Sequence, residues 1–517
     1  MKIPVEGSWI NDWLAKRSSL TPDWVAILDN ATGEMRRFTF SDLNARASRV
    51  AAYLKHEIGI KKGDLLCLLS WPRVEVLDLL FACSKLGAIL FPLNTRYTSS
   101  EISNIVQEFK PRTFVFEDEF RGQVEGISKF QPLINLDPSK HSGAVSYSEV
   151  LGYGRSLEQV EEVSLEDTLM ILHTGGTTGK PKAAIVNHRM ILWNAVNTVR
   201  DLIIPYDLTI TAVPLYHIGG FTYTIPLLFW GGANILMHRW SQGEFLKLVE
   251  QERPTFLFLV PAQLSSLIAS EEFKKTDFSS VRFITSGGAA LTTDMIQATF
   301  EKGITQKQGF GMTEMGPGIF ALDPWDGFLH MGSIGKPNLL VEAKTVREDG
   351  RAASPEEEGE LLLRGPSLFG GYWKDEEETE KTFEDRWMRT GDVARVDKEG
   401  YFYVVGRKKN VIRSGSESVL PEEVEKVLLA NPAVKEVVVV GVPDQRWGEV
   451  PKALVVRKLG HDIGKEDIIA FCEGKLAKFK IPKYVQFVRE IPKDSMGKTS
   501  RAKLAREFGN PSDTEES

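Results

Sequence analysis

Short apolar runs rich in β-branched and aromatic residues alternate with amphipathic stretches at helical spacing. Residues 65–69, 168–172, 184–186, 256–260 and 283–285 read as buried strands, and residues 41–54, 190–202 and 292–300 as helices. Strands without a polar face must be covered on both sides, so this alternation predicts an α/β architecture of largely parallel sheets with helices outside. Gly- and Thr-rich segments follow several strand ends, where open α/β sheets bind ligands. From Gly359 the texture changes. The segments GELLLRG (359–365) and YFYVVGR (401–407) read as strands of a barrel-like or antiparallel sheet. Beyond Lys409 comes a compact α+β pattern: a helix from Pro421, strands at 437–442 and 453–456, and a helix over 468–476. At 517 residues the chain exceeds the roughly 250–300 residues that one core serves. The expected organisation is a large N-terminal domain (1–408) of stacked α/β subdomains plus a β-barrel-like part, and a small C-terminal domain (409–517). An acidic end, 511–517, is expected to be disordered.

A formal net charge of -7 excludes a generic polyanion binder, so nucleic acid is not an expected partner, and any phosphate site must be a local arrangement. Cys67, Cys83 and Cys472 have neither paired nor metal-like spacing and sit in apolar surroundings, which fits a reducing compartment and structural thiols. The first residues show no secretory pattern. The most apolar stretch, 225–237, is broken by Gly231 and Gly232 and falls short of the roughly 20 residues a membrane span needs. A cytoplasmic location without a transmembrane segment is expected.

The strongest local signal is Thr174-Gly175-Gly176-Thr177-Thr178-Gly179-Lys180-Pro181-Lys182, directly after a buried strand. Its glycines let backbone approach an anion, its hydroxyls can donate to phosphate oxygens, and its lysines balance charge. A Walker loop requires glycine five residues before the Gly-Lys pair and Ser or Thr after the lysine. Those places hold Thr174 and Pro181, so that class of NTPase is excluded.

This loop resembles the signature of the adenylate-forming superfamily, and further likenesses follow in the family's order. They are Pro214-Leu215-Tyr216-His217, Ser286-Gly287-Gly288-Ala289-Ala290, Gln308-Gly309-Phe310-Gly311-Met312-Thr313-Glu314, Gly359-Glu360, Arg389-Thr390-Gly391-Asp392, Gly406-Arg407-Lys408-Lys409 and Gly497-Lys498. Pro92-Leu93-Asn94 with Arg96 is similar to a segment of the acyl-CoA synthetase branch. The resemblance implies that a carboxylic acid is activated by ATP, with Mg²⁺, as an acyl-adenylate and passed to coenzyme A.

The resemblance also assigns roles. Lys498 would bridge the carboxylate and the α-phosphate. Glu314 would hold Mg²⁺, Thr313 would donate to the same phosphate, and Asp392 would accept from the ribose hydroxyls with Arg407 beside it. Gly288, Ala289, Ala290 and the stretch from Gln308 to Met312 would line the adenine side, Phe310 standing where Tyr is common. His217 would lie where the acyl pocket meets the thiol route. Ile218, Gly219, Phe221, Ser286, Gly287, Gly309, Gly311, Met315, Gly316 and Pro317 would complete that pocket. Lys409 falls at a hinge about which the C-terminal domain rotates between half-reactions. Ser414, Gly415, Ser416 and Glu417, with Arg446 and Trp447, fall on the coenzyme A side. Departures from the family pattern are His173 for an aromatic residue, Gly175 for Ser, Ala183 for Gly, and Ser416 and Ser418 in the coenzyme A turn.

The apolar pocket, without a fixed cation, implies a monocarboxylate. Its glycines predict room for a medium- or long-chain fatty acid, with an aryl acid as the alternative. Other readings are an enzyme loading a separate carrier protein, a degenerate acyl-AMP or ATP sensor, and a luciferase-like oxygenase. Expected partners are ATP, coenzyme A and a small apolar acid, with a homodimer as a candidate assembly.

Overall fold

The computed structural model describes residues 9–127, 132–137, 143–174, 181–201, 203–289, 291–323, 326–327, 329–414, 417–444, 446–493 and 499–511. The chain forms two compact units: residues 1–342 with 365–381, and residues 343–364 with 382–517.

In the first unit, seven strands stand side by side: Ala144–Ser146, Leu133–Asn135, Thr113–Phe116, Leu65–Leu69, Ile89–Pro92, Thr168–Thr174 and Lys182–Asn187. Neighbours run parallel until the last pair, which is antiparallel. Leu65–Leu69 and Ile89–Pro92 bury every residue, as strands covered on both faces must. Cys67 lies in the core with Phe91, Phe114 and Ile171. A second sheet orders Leu257–Leu259, Phe283–Ser286 and Thr305–Met312 in parallel, then adds Gly316–Ala321 and Lys336–Pro337 antiparallel. A third holds Leu208–Thr211, Ala233–Leu236, Val25–Asp29 and Arg36–Thr39. The α/β expectation is met. The helix expected over 190–202 begins at His188, because the Asn187 side chain caps it by accepting the Met190 N–H at 2.9 Å. It ends at Asn197 and tightens into a 3₁₀ turn, Thr198–Asp201.

An ionic cluster lies inside this unit. Asp29 pairs with Arg36, Glu75 with Arg36, Arg46 and Arg73, Asp78 with Arg46, and Glu117 with Arg73 and His238. Asp29 and Asp78 are fully buried, so each needs these partners to stay in the fold.

The second unit contains two mainly antiparallel sheets. One includes Glu358–Arg364, Trp387–Val396 and Phe402–Arg407. The other includes Ile412–Ser414, Glu417–Val419, Val434–Asp444 and Gly448–Arg457, with Tyr484–Phe487 added in parallel. The two-residue strand period sorts its valines onto opposite faces. Val437 and Val439 pack against the helices Pro421–Leu429 and Lys465–Cys472, and Val438 and Val440 against Leu504 of Arg501–Phe508. Buried Lys452 donates to the carbonyls of Phe508 and Asn510 at 3.0 and 2.9 Å, closing the C-terminal end of that last helix. The acidic end, apart from Pro511, lies outside the described residues.

All three cysteines are free and buried, and burial raises their thiol pKa values, that of Cys83 to about 12. They are unsuited to nucleophilic work. Among the described residues no helix is long and apolar enough to cross a membrane.

Candidate active site

Thr174 and Lys182 face each other at the end of the antiparallel pair Thr168–Thr174 and Lys182–Asn187. The phosphate segment therefore joins two strands of a hairpin. Gly175, Gly176, Thr177, Thr178, Gly179 and Lys180 lie outside the described residues. The unusual His173 packs edge-on against Phe91 at 4.8 Å and shares a hydrogen bond with the Tyr97 hydroxyl through Nδ1 at 2.9 Å. It occupies an aromatic box that also includes Phe109. The neighbouring departure, Ala183, is buried in the same core.

Lys182 forms an ion pair with Glu378 and lies 4.9 Å from the centre of the Tyr372 ring. Tyr372 in turn donates from its hydroxyl to Glu314 Oε1 at 2.9 Å. Expected phosphate-side and metal-side residues are thus linked through Tyr372. Neither Tyr372 nor Glu378 was expected from sequence, since no fixed spacing relates them to Glu314 or Lys182.

Thr313 and Glu314 occupy the tip of a hairpin in which Met312 pairs with Gly316. The tip is tight. A Cβ added at Gly311 would meet backbone atoms of Gly316, Pro317 and Gly318 at 2.7–2.9 Å. At Gly287 it would stand 3.3 Å from the Gly309 carbonyl, and at Gly309 3.4 Å from that of Phe320. These glycines let neighbouring backbones approach closely. Phe310 meets Phe320 edge-on, and Gln308 accepts the Leu291 N–H through Oε1 at 3.4 Å. Ser286 is fully buried and accepts from Gln306 Nε2 at 3.1 Å. Gly288 adopts a positive φ of 88°, Ala289 is exposed, and Ala290 lies outside the described residues.

His217 precedes the 3₁₀ turn Ile218–Phe221, its ring 4.7 Å from that of Tyr216. Beside this turn Met190, Ile191, Asn194, Ile218, Phe221, Ile225, Pro226, Gly316 and Pro317 line a small, partly open pocket of about 10 Å³, room for about one water molecule. Four of the expected pocket residues, Ile218, Phe221, Gly316 and Pro317, line it. His217, Gly219, Ser286, Gly287, Gly309, Gly311 and Met315 do not. Met190, Ile191 and Asn194 recur at helical spacing on the buried face of that helix, which also carries buried Asn197.

In the second unit, Asp392 and Arg407 are opposed across adjacent strands, Oδ1 to Nε at 2.6 Å. Arg407 also donates to the Thr390 carbonyl at 3.1 Å. Glu360 gathers Arg389 and Lys408 at 2.5 and 2.7 Å. Lys409 lies in the 3₁₀ turn Lys408–Asn410. Buried Ser414 is opposite Gly448, so the strand pairing brings one expected coenzyme A segment to the other. Asp444 Oδ1 accepts the N–H groups of Arg446 and Trp447 at 2.9 Å each, and the Arg446 guanidinium lies 4.7 Å over the half-exposed Trp447 ring. Gly415, Ser416 and Lys498, and the side chain of Glu417, lie outside the described residues.

Comparison with known proteins gives the family. Residues 14–373 match the family model "AMP-binding enzyme", and residues 423–498 match "AMP-binding enzyme C-terminal domain". A feruloyl-CoA synthase of an Amycolatopsis species is 32% identical, over 97% of this chain and 99% of its own. An indoleacetate–CoA ligase of Aromatoleum aromaticum is 33% identical, over 95% and 96% respectively. The solved o-succinylbenzoate CoA synthetase of Bacillus subtilis, in complex with its acyl-adenylate intermediate, superposes with a TM-score of 0.85 at 29% identity, over 95% of this chain and 97% of that one. The chain belongs to the AMP-binding, adenylate-forming enzymes, and within them to the AMP-forming acid–CoA ligases.

Proposed function

We propose that this ligase activates an aromatic or arylalkanoic monocarboxylate rather than a medium- or long-chain fatty acid. The observation that carries this reading is the likeness, along nearly the whole chain, to ligases named for aryl acids, a feruloyl-CoA synthase and an indoleacetate–CoA ligase. The glycines that suggested room for a long alkyl chain are taken up by close backbone packing at Gly287, Gly309 and Gly311.

A bound carboxylate attacks the α-phosphorus of ATP and pyrophosphate leaves, giving a mixed acyl–AMP anhydride. Coenzyme A thiolate then attacks the acyl carbonyl and AMP leaves. The acid is its own nucleophile, so the protein supplies position and charge. Lys498 brings the two anions together, Thr313 donates to the phosphate, and the loop from Thr174 through Lys180 to Lys182 holds the outer phosphates. The adenosine is held by Gly288, Ala289, Ala290 and the strand from Gln308 to Met312, and its ribose by Asp392 with Arg407. Mg²⁺ arrives with ATP. Glu314 fits it, because Oε1 accepts the Tyr372 hydroxyl while Oε2 takes part in no hydrogen bond among the described residues. His217 lies where the acyl pocket meets the thiol route. A C-terminal domain from Lys409 turns between half-reactions and presents Ser414, Gly415, Ser416, Glu417, Arg446 and Trp447 to coenzyme A. The setting is cytoplasmic, and a homodimer is the candidate assembly.

The test is acid-dependent pyrophosphate exchange and acyl-CoA formation across cinnamates, phenylacetates, benzoates and C6–C16 fatty acids. The aromatic acids are expected to have the highest kcat/KM. A rate that climbs with alkyl chain length and exceeds every aromatic acid would refute the assignment.

A further inference from the structure

Lys182 closes the phosphate segment, opposite Thr174 in the hairpin, and its ammonium is paired with Glu378 on the short helix Glu376–Thr382. Backbone delivers that carboxylate. Segment 370–373 runs antiparallel beside the strand Lys182–Asn187. The Ile185 N–H donates to the Gly371 carbonyl at 2.9 Å, that of Gly370 to the Ile185 carbonyl at 3.0 Å, and that of Trp373 to the Ala183 carbonyl at 2.8 Å. The Tyr372 N–H donates to Thr379 Oγ1 at 2.8 Å, which ties the helix to the same segment. Gly371 allows the approach, since a Cβ there would stand 2.9 Å from Thr379 Cγ2. The fold therefore holds Glu378 at the phosphate lysine, although its helix buries none of its residues. The Lys182 and Glu378 side chains are 27% and 33% exposed, open to exchange with a dissolved anion.

We propose that Glu378 competes with the outer phosphates of the nucleotide for Lys182, and so sets how tightly ATP and pyrophosphate are held. This rests on reading Lys182 as a ligand of those phosphates. An ammonium already paired with a carboxylate presents little net charge to an incoming anion. ATP must draw Lys182 away from Glu378, and Glu378 retakes it when pyrophosphate departs. The carboxylate thus weakens the hold on substrate and on leaving group together. AMP carries no outer phosphates, so the exchange at Lys182 does not touch it.

The experiment measures the ATP concentration for half-maximal adenylation and the inhibition constants of pyrophosphate and AMP, in the unaltered enzyme, Glu378→Gln, Lys182→Gln and the double variant. Gln keeps the shape of Glu378 and removes its charge. Glu378→Gln is expected to lower the ATP and pyrophosphate constants by about threefold to fivefold, the scale of one partly exposed ion pair, and to leave the AMP constant in place. Lys182→Gln is expected to raise the first two, and in that background Glu378→Gln is expected to change them less than twofold. Constants for ATP and pyrophosphate that stay level or rise in Glu378→Gln overturn the proposal, for the carboxylate then aligns the lysine or only supports the helix. An equal fall for AMP, or a gain that persists without Lys182, overturns it too, since the charge would act through the general field. Lys182→Gln with unaltered ATP and pyrophosphate constants would instead overturn the phosphate reading of Lys182 beneath it, and the proposal with it.

Discussion

Replacing Asp78 by Asn isolates one buried carboxylate whose proton is coupled to folding. Asp78 is fully buried, with Arg46 Nη2 at 2.6 Å and the Tyr147 hydroxyl at 2.9 Å. Burial pushes its carboxyl up from 3.8 to about 6; Arg46 pulls the other way, Glu75 adds to the rise, and Tyr147 opposes it. Asp78 thus holds its proton more tightly folded than unfolded. Its stabilising contribution is fully present below the unfolded pKa and is lost as the pH rises through about 6. At about 1.4 kcal/mol per pH unit the full effect is about 3 kcal/mol, of which about 2 kcal/mol is expressed between pH 7 and pH 4.5. Asn keeps similar shape and hydrogen-bonding capacity but cannot titrate. The measurement is the urea midpoint of the first unit, followed by tryptophan fluorescence, for both proteins at pH 7 and 4.5. Their difference should shift by about 2 kcal/mol toward the unaltered protein at the lower pH. If it stays flat, or moves toward the Asn variant, Arg46 governs this carboxylate and burial does not.

Three further outcomes are expected. Lys498→Ala should slow acyl-AMP formation by about a thousandfold, the loss of a contact worth roughly 4 kcal/mol, yet largely spare thioester formation from supplied acyl-AMP. Single-turnover assays of each half-reaction would expose equal losses if the two-step assignment is wrong. Tyr372→Phe removes the donor to Glu314 and should lower adenylation by about fivefold to tenfold while raising the Mg²⁺ concentration needed for half-maximal rate. An unchanged Mg²⁺ dependence would separate Tyr372 from the metal side. Gly311→Ala should reduce adenylation by at least about a hundredfold in a protein with unaltered far-ultraviolet dichroism, because its Cβ would press on backbone at 2.7–2.9 Å. Near-normal turnover would mean that the hairpin tip tolerates opening.

The strands at 65–69 and 283–286 were legible because a buried strand is a local pattern, as was the α/β alternation they belong to. The segment Gln308–Glu314 stood out by resemblance alone, and that Thr313 and Glu314 lie at the tip of a hairpin was not legible. What escaped depends on contacts between distant residues. Tyr372 reaches Glu314 from 58 positions away and Glu378 reaches Lys182 from 196. His173 looked like a departure from pattern, yet Phe91, Phe109 and Tyr97 accept an imidazole in an aromatic place. Glycines were the most misleading residue type. They suggested room, and at Gly311 they permit near contact of backbone with backbone. Sequence records that a side chain is missing, but packing decides whether space or another chain segment fills the gap.

The antiparallel pairing of Thr174 with Lys182 has a consequence for how such a protein can lose its activity. What leaves the loop is the strand Lys182–Asn187, and the next helix begins only at His188. In a strand–loop–helix nucleotide site, the partial positive pole of the helix belongs to the peptide backbone and survives any side-chain exchange. In the proposed reading the charge that meets the nucleotide is carried instead on the side chains of Lys180 and Lys182, and a single codon can erase each one. A descendant could fall silent within one or two substitutions and keep every strand of the seven-stranded sheet in place.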